Sequence, residues 1–495
     1  MFVRNTRPRL VRGLFLSRYS LAIYLVEASF GAPTGLLMEG VSTHRIDAAG
    51  LQMRIKELRE SIMLLLLADY LASTTFLIIA YAAIIIVAIL ILVALFGPGL
   101  AYKVSAAVES SNESDEFLHM LEALVDARIN RHTTLTVFTN GEHFYEEELA
   151  AIPAARHTIN LEAYIFHAGG IATRFLDELT KQASNGVKVN LVLDAIGSAR
   201  TRKSFFAKLE AAGGRVSWYN GSRWNKLPRF NNRTHRELLV IDGQVGFIGG
   251  AGVADQWWRG EKGQPAWRDT MVRVEGDAVA HLQATFAENW LESCGEVLTG
   301  SQYFPKSHTE GKGAVFVVNS TPSGGGATRS RILFQILLAS ARESIQITTP
   351  YFLPDHSMTN ELIQAIRRGV KVQILVPGKK SDLWLTRSSS RVAYGRLLKA
   401  GISIYEYQPS MIHAKVLLID CTWGVVGSTN FDNRSFGLND EVNLAAYEQG
   451  FCQRLRSDFE RDLTRSECIS LERWRHRSIF SRAPELLGWV LQREQ

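Results

Sequence analysis

Cysteine is scarce in this chain, with four residues among 495. None of them belongs to a Cys-x-x-Cys pair, and no histidine cluster accompanies them at the spacing of a zinc site. A disulfide framework and a structural zinc site are therefore not expected, and the four thiols are interpreted as ordinary core or surface residues. They are Cys294, Cys421, Cys452 and Cys468.

Charged residues are missing from residues 75–96, within a strongly apolar region that runs from 62 to 95. That length is enough to cross a bilayer as a helix. A buried helix of a soluble protein is the less favoured alternative, because soluble helices keep a polar face. The apolar region is too short for two comfortable spans, so the sequence predicts a single transmembrane helix.

The charge that is present is basic overall, with a formal net charge of +6. Such a balance fits anionic partners such as lipid headgroups, nucleic acid or phosphate substrates, and it also fits a surface tuned for solubility. Arg54, Lys56 and Arg59 precede the apolar region. By the positive-inside tendency, they place the N-terminus in the cytoplasm and the large domain outside, although Glu57 and Glu60 dilute the basic flank.

The length suits two similar halves with additional segments. Two segments each have two possible interpretations. Residues 223–230 mix cations with aromatic side chains, and they either contact lipid headgroups or pack on their own domain. The C-terminal residues either lie on a membrane or dock on the domain. The predicted boundaries are an unassigned segment at 1–60, a transmembrane region at 61–98, a linker at 99–133, halves at 134–310 and 311–465, and a basic helix at 466–495.

The two halves repeat one order of elements. Strands alternate with helices of roughly 10–15 residues, a pattern typical of sheets with parallel strand pairs covered by helices. Gly-Val-Lys-Val occurs at 186–189 and again at 369–372, and these copies lie at nearly the same separation as two histidine motifs. A whole α/β unit is therefore duplicated, and two halves of this kind are able to bring their histidines to one cleft.

The second histidine motif covers residues 411–420, which predict a strand. Successive side chains of a strand alternate between faces, so His413 and Lys415 project to the same side. Asp420 closes the strand, and a return strand ends in small polar residues that include Ser428 and Asn430. An imidazole beside an ammonium and small polar groups suits phosphate chemistry.

The first motif, at residues 234–243, keeps the histidine and the aspartate at the same spacing as His235 and Asp242. It has Glu237 where the second copy has a lysine. Its return strand ends in two glycines, and Gly252 stands near the place that Asn430 holds in the second copy.

With these two motifs in a duplicated unit, residues 134–465 resemble the phospholipase D superfamily, whose mark is two His-x-Lys-x-x-x-x-Asp motifs. Within it, they resemble the bacterial cardiolipin synthase and phosphatidyltransferase branch. The most specific part is residues 413–420 followed by 427–435 and 438–441. The resemblance implies two phospholipase D-like α/β halves with mixed sheets and one shared active-site cleft, preceded by the transmembrane helix.

The resemblance also implies site residues, with no metal and no cofactor. One histidine forms a covalent phosphohistidine and the other exchanges protons with the alcohols; we assign His235 the first role and His413 the second, although the spacing leaves the order open. The supporting residues are Lys415, Ser428, Asn430 and Arg434 for the phosphate, Asp269 and Glu441 for orienting the histidines, and Asp242 and Asp420 for the hydrogen bonds of the hairpins.

Glu237 departs from the pattern, because it puts an anion where the family has a cation. Either a nearby arginine compensates, or Glu237 takes an acid/base or histidine-orienting role, or the first half is weakened. The candidate arginines are Arg233, Arg236 and Arg434.

The function expected from the resemblance is a membrane-anchored phosphatidyltransferase that joins phosphatidylglycerol units into cardiolipin and releases glycerol. The alternatives are a phospholipase D that uses water, a nuclease, and a non-catalytic lipid-binding protein. The transmembrane segment argues against the nuclease. The expected partners are phosphatidylglycerol or another anionic phospholipid and the membrane, without nucleic acid, and the expected location is the inner cell membrane with one pass.

Overall fold

The computed structural model describes residues 48–96, 102–105, 110–220, 232–261, 263–306, 309–311, 313–322, 328–382 and 384–477. The predictions for residues 1–47, 223–230 and 478–495 lie outside this part of the chain. The chain divides into two compact units, Met1–Leu90 and Ile91–Gln495, and each is described by itself.

The first unit is dominated by helix α1, which spans Ala48–Phe96 and has 49 residues, or about 74 Å at the usual helical rise. Within it, Gln52–Ile89 is long and apolar enough to cross a membrane. Large apolar side chains on all sides of this stretch are exposed, such as Ile78 and Ile84 with more than half of their surface open. A helix that is apolar all round is stable in hydrocarbon and unstable in water. The single long apolar helix predicted from the sequence is confirmed.

The first half of the second unit contains a seven-stranded mixed sheet. In chain order its strands are β1 Thr133–Thr139, β2 Thr158–Ala163, β3 Lys188–Asp194, β4 Arg215–Tyr219, β5 Leu238–Ile241, β6 Val245–Gly249 and β7 Thr270–Gly276. They lie in the order β1-β7-β6-β5-β2-β3-β4, with parallel pairs only among β2, β3 and β4.

Helices precede and separate these strands. They are α2 Asp115–Val125, α3 Gly141–Ala151, α4 Gly170–Ser184, α5 Ala207–Ala211, α6 Asp255–Trp258 and α7 Ala278–Cys294, with short 3-10 helices at Ile152–Ala154 and Lys203–Phe206. Helix α4 shows how the spacing of apolar residues determines which face of a helix is buried. Its apolar residues Ile171, Phe175 and Leu179 recur every four positions and are buried, because that spacing brings them to one face of a helix.

The second half contains an eight-stranded sheet. In chain order its strands are β8 Ala314–Ser320, β9 Ser344–Thr348, β11 Lys371–Pro377, β12 Ser403–Tyr407, β13 Val416–Ile419, β14 Trp423–Gly427, β16 Glu441–Tyr447 and β17 Ser466–Ile469, and a separate small pair joins β10 Phe352–Leu353 to β15 Phe431–Asp432. The order β8-β16-β14-β13-β9-β11-β12 repeats that of the first sheet strand for strand, with β17 added at the edge. The duplicated mixed α/β architecture expected from the sequence is thereby confirmed.

The helices of the second half are α8 Arg329–Ser340, α9 His356–Arg367, α10 Trp384–Ala400, α11 Asn433–Gly437, α12 Gln449–Leu463 and α13 Leu471–Arg475. The segment predicted as one basic C-terminal helix from residue 466 is different in the structure. Its first residues form β17, because β12 offers an unpaired edge and β17 pairs with it in antiparallel register. Only the short helix α13 follows in the described part of the chain.

One hydrophobic cluster joins the two halves. It includes Val240 and Ile248 from the first sheet and Leu418, Val426 and Leu444 from the second, all nearly inaccessible to solvent. Burying side chains of this size against each other is worth about 1.5–3 kcal/mol for each side chain. The shared cluster therefore sets how the two sheets face each other, and with them the two histidine motifs.

Candidate active site

The two histidines stand directly before equivalent hairpins, and each is joined by its backbone to the opposite half. The backbone N–H of His235 donates to the carbonyl of Asp440 over 2.9 Å, and that of His413 donates to the carbonyl of Arg268 over 2.7 Å. These contacts belong to two short parallel bridges between the halves. Each histidine segment therefore lies beside the segment of the other half that carries a predicted orienting carboxylate.

The predicted orienting carboxylates pair with the histidines across the interface between the halves. Nδ1 of His235 lies 3.0 Å from Oε1 of Glu441, and Nδ1 of His413 lies 2.9 Å from Oδ2 of Asp269. Both carboxylates are inaccessible to solvent, and the histidine side chains are 13% and 8% exposed. A proton on Nδ1 that is donated to a carboxylate leaves Nε2 as the nitrogen available to a substrate.

Burial and charge set the protonation of the His413 pair. Burial and the ammonium of Lys415 lower the pKa of His413 to about 4, against the opposing effect of Asp269, so the imidazole is neutral near pH 7. Burial acts to raise the pKa of Asp269, but the hydrogen bond from His413 and the charge of Lys415 outweigh it, and the pKa stays below its usual value. Before substrate binds, this pair therefore consists of the ionised carboxylate of Asp269 and the neutral imidazole of His413.

Lys415 lies between the two histidine–carboxylate pairs and is buried. Its Nζ is 2.8 Å from Nδ1 of His413, 3.1 Å from Nε2 of the same ring and 2.9 Å from the carbonyl of that residue. Burial lowers the pKa of Lys415, and Asp269 and Glu441 both act in the opposite direction. One ammonium therefore interacts electrostatically with both orienting carboxylates.

The predicted phosphate-contacting residues after β14 have different surroundings. The hydroxyl of Ser428 donates to Glu441 and accepts from the backbone N–H of Val442 over 3.0 Å, so it supports the orienting carboxylate. Oδ1 of Asn430 is buried and has no hydrogen-bond partner among the described residues. Arg434, in α11, acts electrostatically on the phenol of Tyr164.

The aspartates that complete the motifs hold the sheet and are not in contact with the histidines. The carboxylate of Asp242 accepts backbone N–H groups at the start of β2, including those of His157 and Thr158 over 2.7 Å each. Asp420 does the same at the start of β9 with Glu343 and Ser344, over 2.8 and 2.9 Å. The hairpin role expected for these two residues agrees with these contacts.

Replacing Asp242 with alanine is expected to destabilise the folded chain by about 3 kcal/mol, because several backbone N–H groups lose a charged partner. Chemical unfolding in detergent measures the loss, and kcat per folded molecule should stay near the wild-type value. Asp177→Ala, at an exposed position of α4, is the matched control. Equal stability of the two variants would contradict this role.

Arg236 does not replace the cation missing at position 237. It alternates to the other face of the strand, where its guanidinium donates to the carbonyl of Thr285 over 3.0 Å and to Glu288 over 2.7 Å. Arg233 pairs with Asp194 at 3.5 Å. Arg236 is therefore engaged on the other face, whereas Arg233, like Arg434, also acts electrostatically on the phenol of Tyr164.

Sequence reasoning missed two tyrosines that lie against the histidines. The ring of Tyr164 contacts that of His235 edge-on with centroids 5.3 Å apart, and the ring of Tyr351 is 6.5 Å from that of His413. The sequence contains a signal for these two tyrosines, because each follows the first parallel strand of its half and the two positions are therefore equivalent. Trp257, which is buried, donates from its indole N–H to Asp269 over 3.0 Å.

Comparison with known proteins agrees with this geometry. Residues 149–290 and 335–463 match the family described as "Cardiolipin synthase, PLD-like domain". Cardiolipin synthase 1 of Bacillus anthracis is 35% identical over 397 residues, which cover 78% of this chain and 77% of that protein. Cardiolipin synthase 1 of Bacillus cereus is 37% identical over 363 residues, or 71% of each chain.

A solved structure supports the same fold. The phosphatidylserine synthase of Haemophilus influenzae superposes with a TM-score of 0.59 at 13% identity and covers 76% of this chain and 96% of its own. The family match extends over more than half of the chain, and relatives above 30% identity cover more than two thirds of it. The chain therefore belongs to the cardiolipin synthase branch of the phospholipase D superfamily, whose enzymes are of the phosphatidyltransferase type.

Proposed function

We propose that this chain joins two phosphatidylglycerol molecules into cardiolipin and releases glycerol, through a covalent phosphohistidine. The observation that carries the proposal is the pair of imidazoles, each held at Nδ1 by a buried carboxylate of the opposite half, around the ammonium of Lys415. Phosphodiester exchange needs a nucleophile, a proton carrier and a cation for the phosphoryl oxygens, and this arrangement supplies all three.

In the first step, Nε2 of His235 attacks the phosphorus of one phosphatidylglycerol, and the bond from phosphorus to the glycerol oxygen breaks. His413 gives the departing glycerol its proton, so glycerol leaves neutral and the phosphatidyl group stays on His235. Burial and the charge of Lys415 lower the pKa of His413 in the free chain. The negative charge of the bound phosphate opposes this effect, so His413 takes up a proton on Nε2 from water when the substrate binds, and this is the proton that glycerol receives. Glu441 stabilises the positive charge that develops on His235.

In the second step, the free glycerol hydroxyl of another phosphatidylglycerol gives its proton to His413 and attacks the same phosphorus. The bond from phosphorus to Nε2 of His235 breaks, and cardiolipin forms. A neutral imidazole is the form needed to accept this proton, and His413 is neutral at this point because it gave its proton to glycerol in the first step. Asp269 then stabilises the imidazolium.

The proposed acceptor is a lipid hydroxyl and not water. Helix α1, with exposed apolar side chains along a stretch long enough to span a membrane, associates this chain with lipid, and we place it as a single pass in the inner cell membrane. The named relatives are cardiolipin synthases, and the structural neighbour is a phosphatidylserine synthase. Each of those names implies a phospholipid substrate.

Incubation of the purified chain with labelled phosphatidylglycerol in mixed micelles tests the proposal. Formation of cardiolipin and glycerol in equal amounts is the expected result. Phosphatidic acid as the main product would identify a hydrolase that uses water. Lipid binding without turnover would identify a non-catalytic protein, the alternative that Glu237 raises.

A further inference from the structure

Glu237 occupies the same position in its half as Lys415 does in the other. Glu237 directly precedes β5, and Lys415 directly precedes β13, so both side chains follow their histidine by two residues on the same strand face. The two groups also interact electrostatically, because Lys415 acts to lower the pKa of Glu237. The carboxyl therefore stands near the cation that is proposed to bind phosphate.

Glycines make room for both groups. A Cβ at Gly250 would lie 3.1 Å from Nζ of Lys415, and a Cβ at Gly252 would lie 3.0 Å from Oε1 of Glu237 and 2.4 Å from the carbonyl of Ile165. The ammonium and the carboxyl thus contact one short segment, residues 250–252. Glu237 is accommodated because position 252 carries no side chain, whereas Asn430 stands at the equivalent position of the second half.

Among the described residues, only one oxygen of the Glu237 carboxyl has a protein partner. Oε1 accepts the backbone N–H of Tyr164 over 3.2 Å and lies 3.5 Å from that of Ile165. In the part of the chain that the structure describes, Oε2 has no hydrogen-bond partner, although the residue is only 6% exposed. Oε2 is not among the unpaired polar atoms of the described residues that are fully closed off from solvent, so it is open to a group that arrives with the substrate.

The surroundings favour the un-ionised form of this carboxyl. Burial raises the pKa of Glu237 well above its usual value; the two backbone N–H groups and Lys415 lower it, and Asp269 raises it further. A protonated carboxyl has one O–H donor, and its carbonyl oxygen accepts the backbone N–H groups. The other titratable groups around it are Tyr164 beside the cleft and Tyr145, Glu148 and Glu162 around a small cavity behind it.

We propose that Glu237 is a catalytic residue that donates a hydrogen bond from Oε2 to a phosphoryl oxygen also bound by Lys415. This proposal rests on the proposed function, since it assigns a ligand of that same site. A neutral donor replaces a cation, so one phosphoryl oxygen is stabilised without a second positive charge. The first half is then chemically different from the second and not merely weakened.

Two substitutions separate a donor from a space-filling group. Glu237→Gln keeps the shape, the acceptor oxygen and an N–H donor, and its kcat/KM is expected within about threefold of wild type, because the donor is retained. Glu237→Met fills similar space without a donor and is expected to lower kcat/KM about 100-fold, the usual effect of losing one such donor. Glu148→Gln, a buried glutamate of the same cavity, is the matched control and should match wild type.

The pH profile gives a readout that a merely structural role would not move. Glu237 is active as a donor below its raised pKa, so wild-type kcat/KM falls as pH rises through that pKa, while the amide of Glu237→Gln does not titrate. The ratio of Glu237→Gln to wild-type kcat/KM should therefore increase as pH rises above the ordinary range of a glutamate, with unfolding temperatures measured at each pH. A flat ratio overturns the proposal, as does a Glu237→Met variant with wild-type activity or a Glu237→Gln variant as weak as Glu237→Met.

Binding of inorganic phosphate separates this proposal from the proposed function. If the wild-type chain makes no cardiolipin from phosphatidylglycerol, the proposed function fails, and calorimetric titration with phosphate still tests Glu237. Affinity at least about tenfold weaker in Glu237→Met than in wild type supports the donor role, since one charge-assisted hydrogen bond is lost. Equal affinity of the two proteins overturns it.

Discussion

Replacing His413 with alanine is expected to lower kcat for cardiolipin formation by at least about 10³-fold, and His235→Ala is expected to do the same. Each imidazole is held by one buried carboxylate at Nδ1, so neither can take over the atom position of the other. Product formation from labelled phosphatidylglycerol is the measurement. His119→Ala, at an exposed histidine of α2, is the matched control and should keep wild-type activity.

The same two variants assign the roles of the histidines. With a phosphatidyl substrate whose leaving group departs without a proton, His413→Ala should accumulate a labelled covalent protein, because the second step lacks its base. His235→Ala should form no covalent protein, since the proposed nucleophile is absent. If covalent protein accumulated in His235→Ala and not in His413→Ala, the two roles would be exchanged. Full activity in His413→Ala would refute the proposed cleft chemistry.

Replacing either orienting carboxylate with its amide is also expected to lower kcat strongly. Asp269→Asn is expected to lower kcat by about 10²–10⁴-fold, because the amide no longer stabilises an imidazolium and is able to present an N–H to Nδ1 of His413. That contact favours the tautomer with its proton on Nε2, which cannot accept a proton from the substrate alcohol. Asp269 also receives the indole N–H of Trp257 and the backbone N–H of Thr270, so its geometry is well supported in the native chain.

Glu441→Gln is expected to act in the same direction on the chemistry of His235. Turnover, unfolding in detergent and the histidine ¹⁵N chemical shifts are measured together, so that a wrong tautomer is distinguished from a lost fold. Asp177→Asn, on the exposed face of α4, is the control for a carboxylate-to-amide change. A kcat within about twofold of wild type for Asp269→Asn would show that the pairing is structural only.

Several features of the chain follow from local sequence. The apolar stretch in α1 predicts a membrane span because no soluble packing could cover a helix that is apolar all round. The two copies of Gly-Val-Lys-Val predict equivalent parallel strands, and β3 and β11 occupy equivalent places in their sheets. The alternation of a strand places Lys415 on the same face as His413 and sends Arg236 to the opposite face.

Other features depend on contacts between distant segments. The first residues of the predicted C-terminal helix, Ser466–Ile469, form an edge strand, since β12 supplies backbone partners that no local pattern reveals. The sequence predicts that Ser428 contacts the phosphate. In the structure, its hydroxyl donates a hydrogen bond to Glu441. The environment of Glu237 depends on the absence of a side chain at Gly252, which comes close only through the hairpin fold.

By itself, the sequence of this protein determined the residue types of the site, the duplicated α/β unit and the long apolar helix, because periodicity and motif spacing are local properties. Only the tertiary structure decided that each carboxylate serves the histidine of the opposite half, Asp269 with His413 and Glu441 with His235. Those partners are 144 and 206 residues apart in the chain. The packing of one sheet against the other, through the cluster that contains Val240 and Leu418, brings them into hydrogen-bond distance.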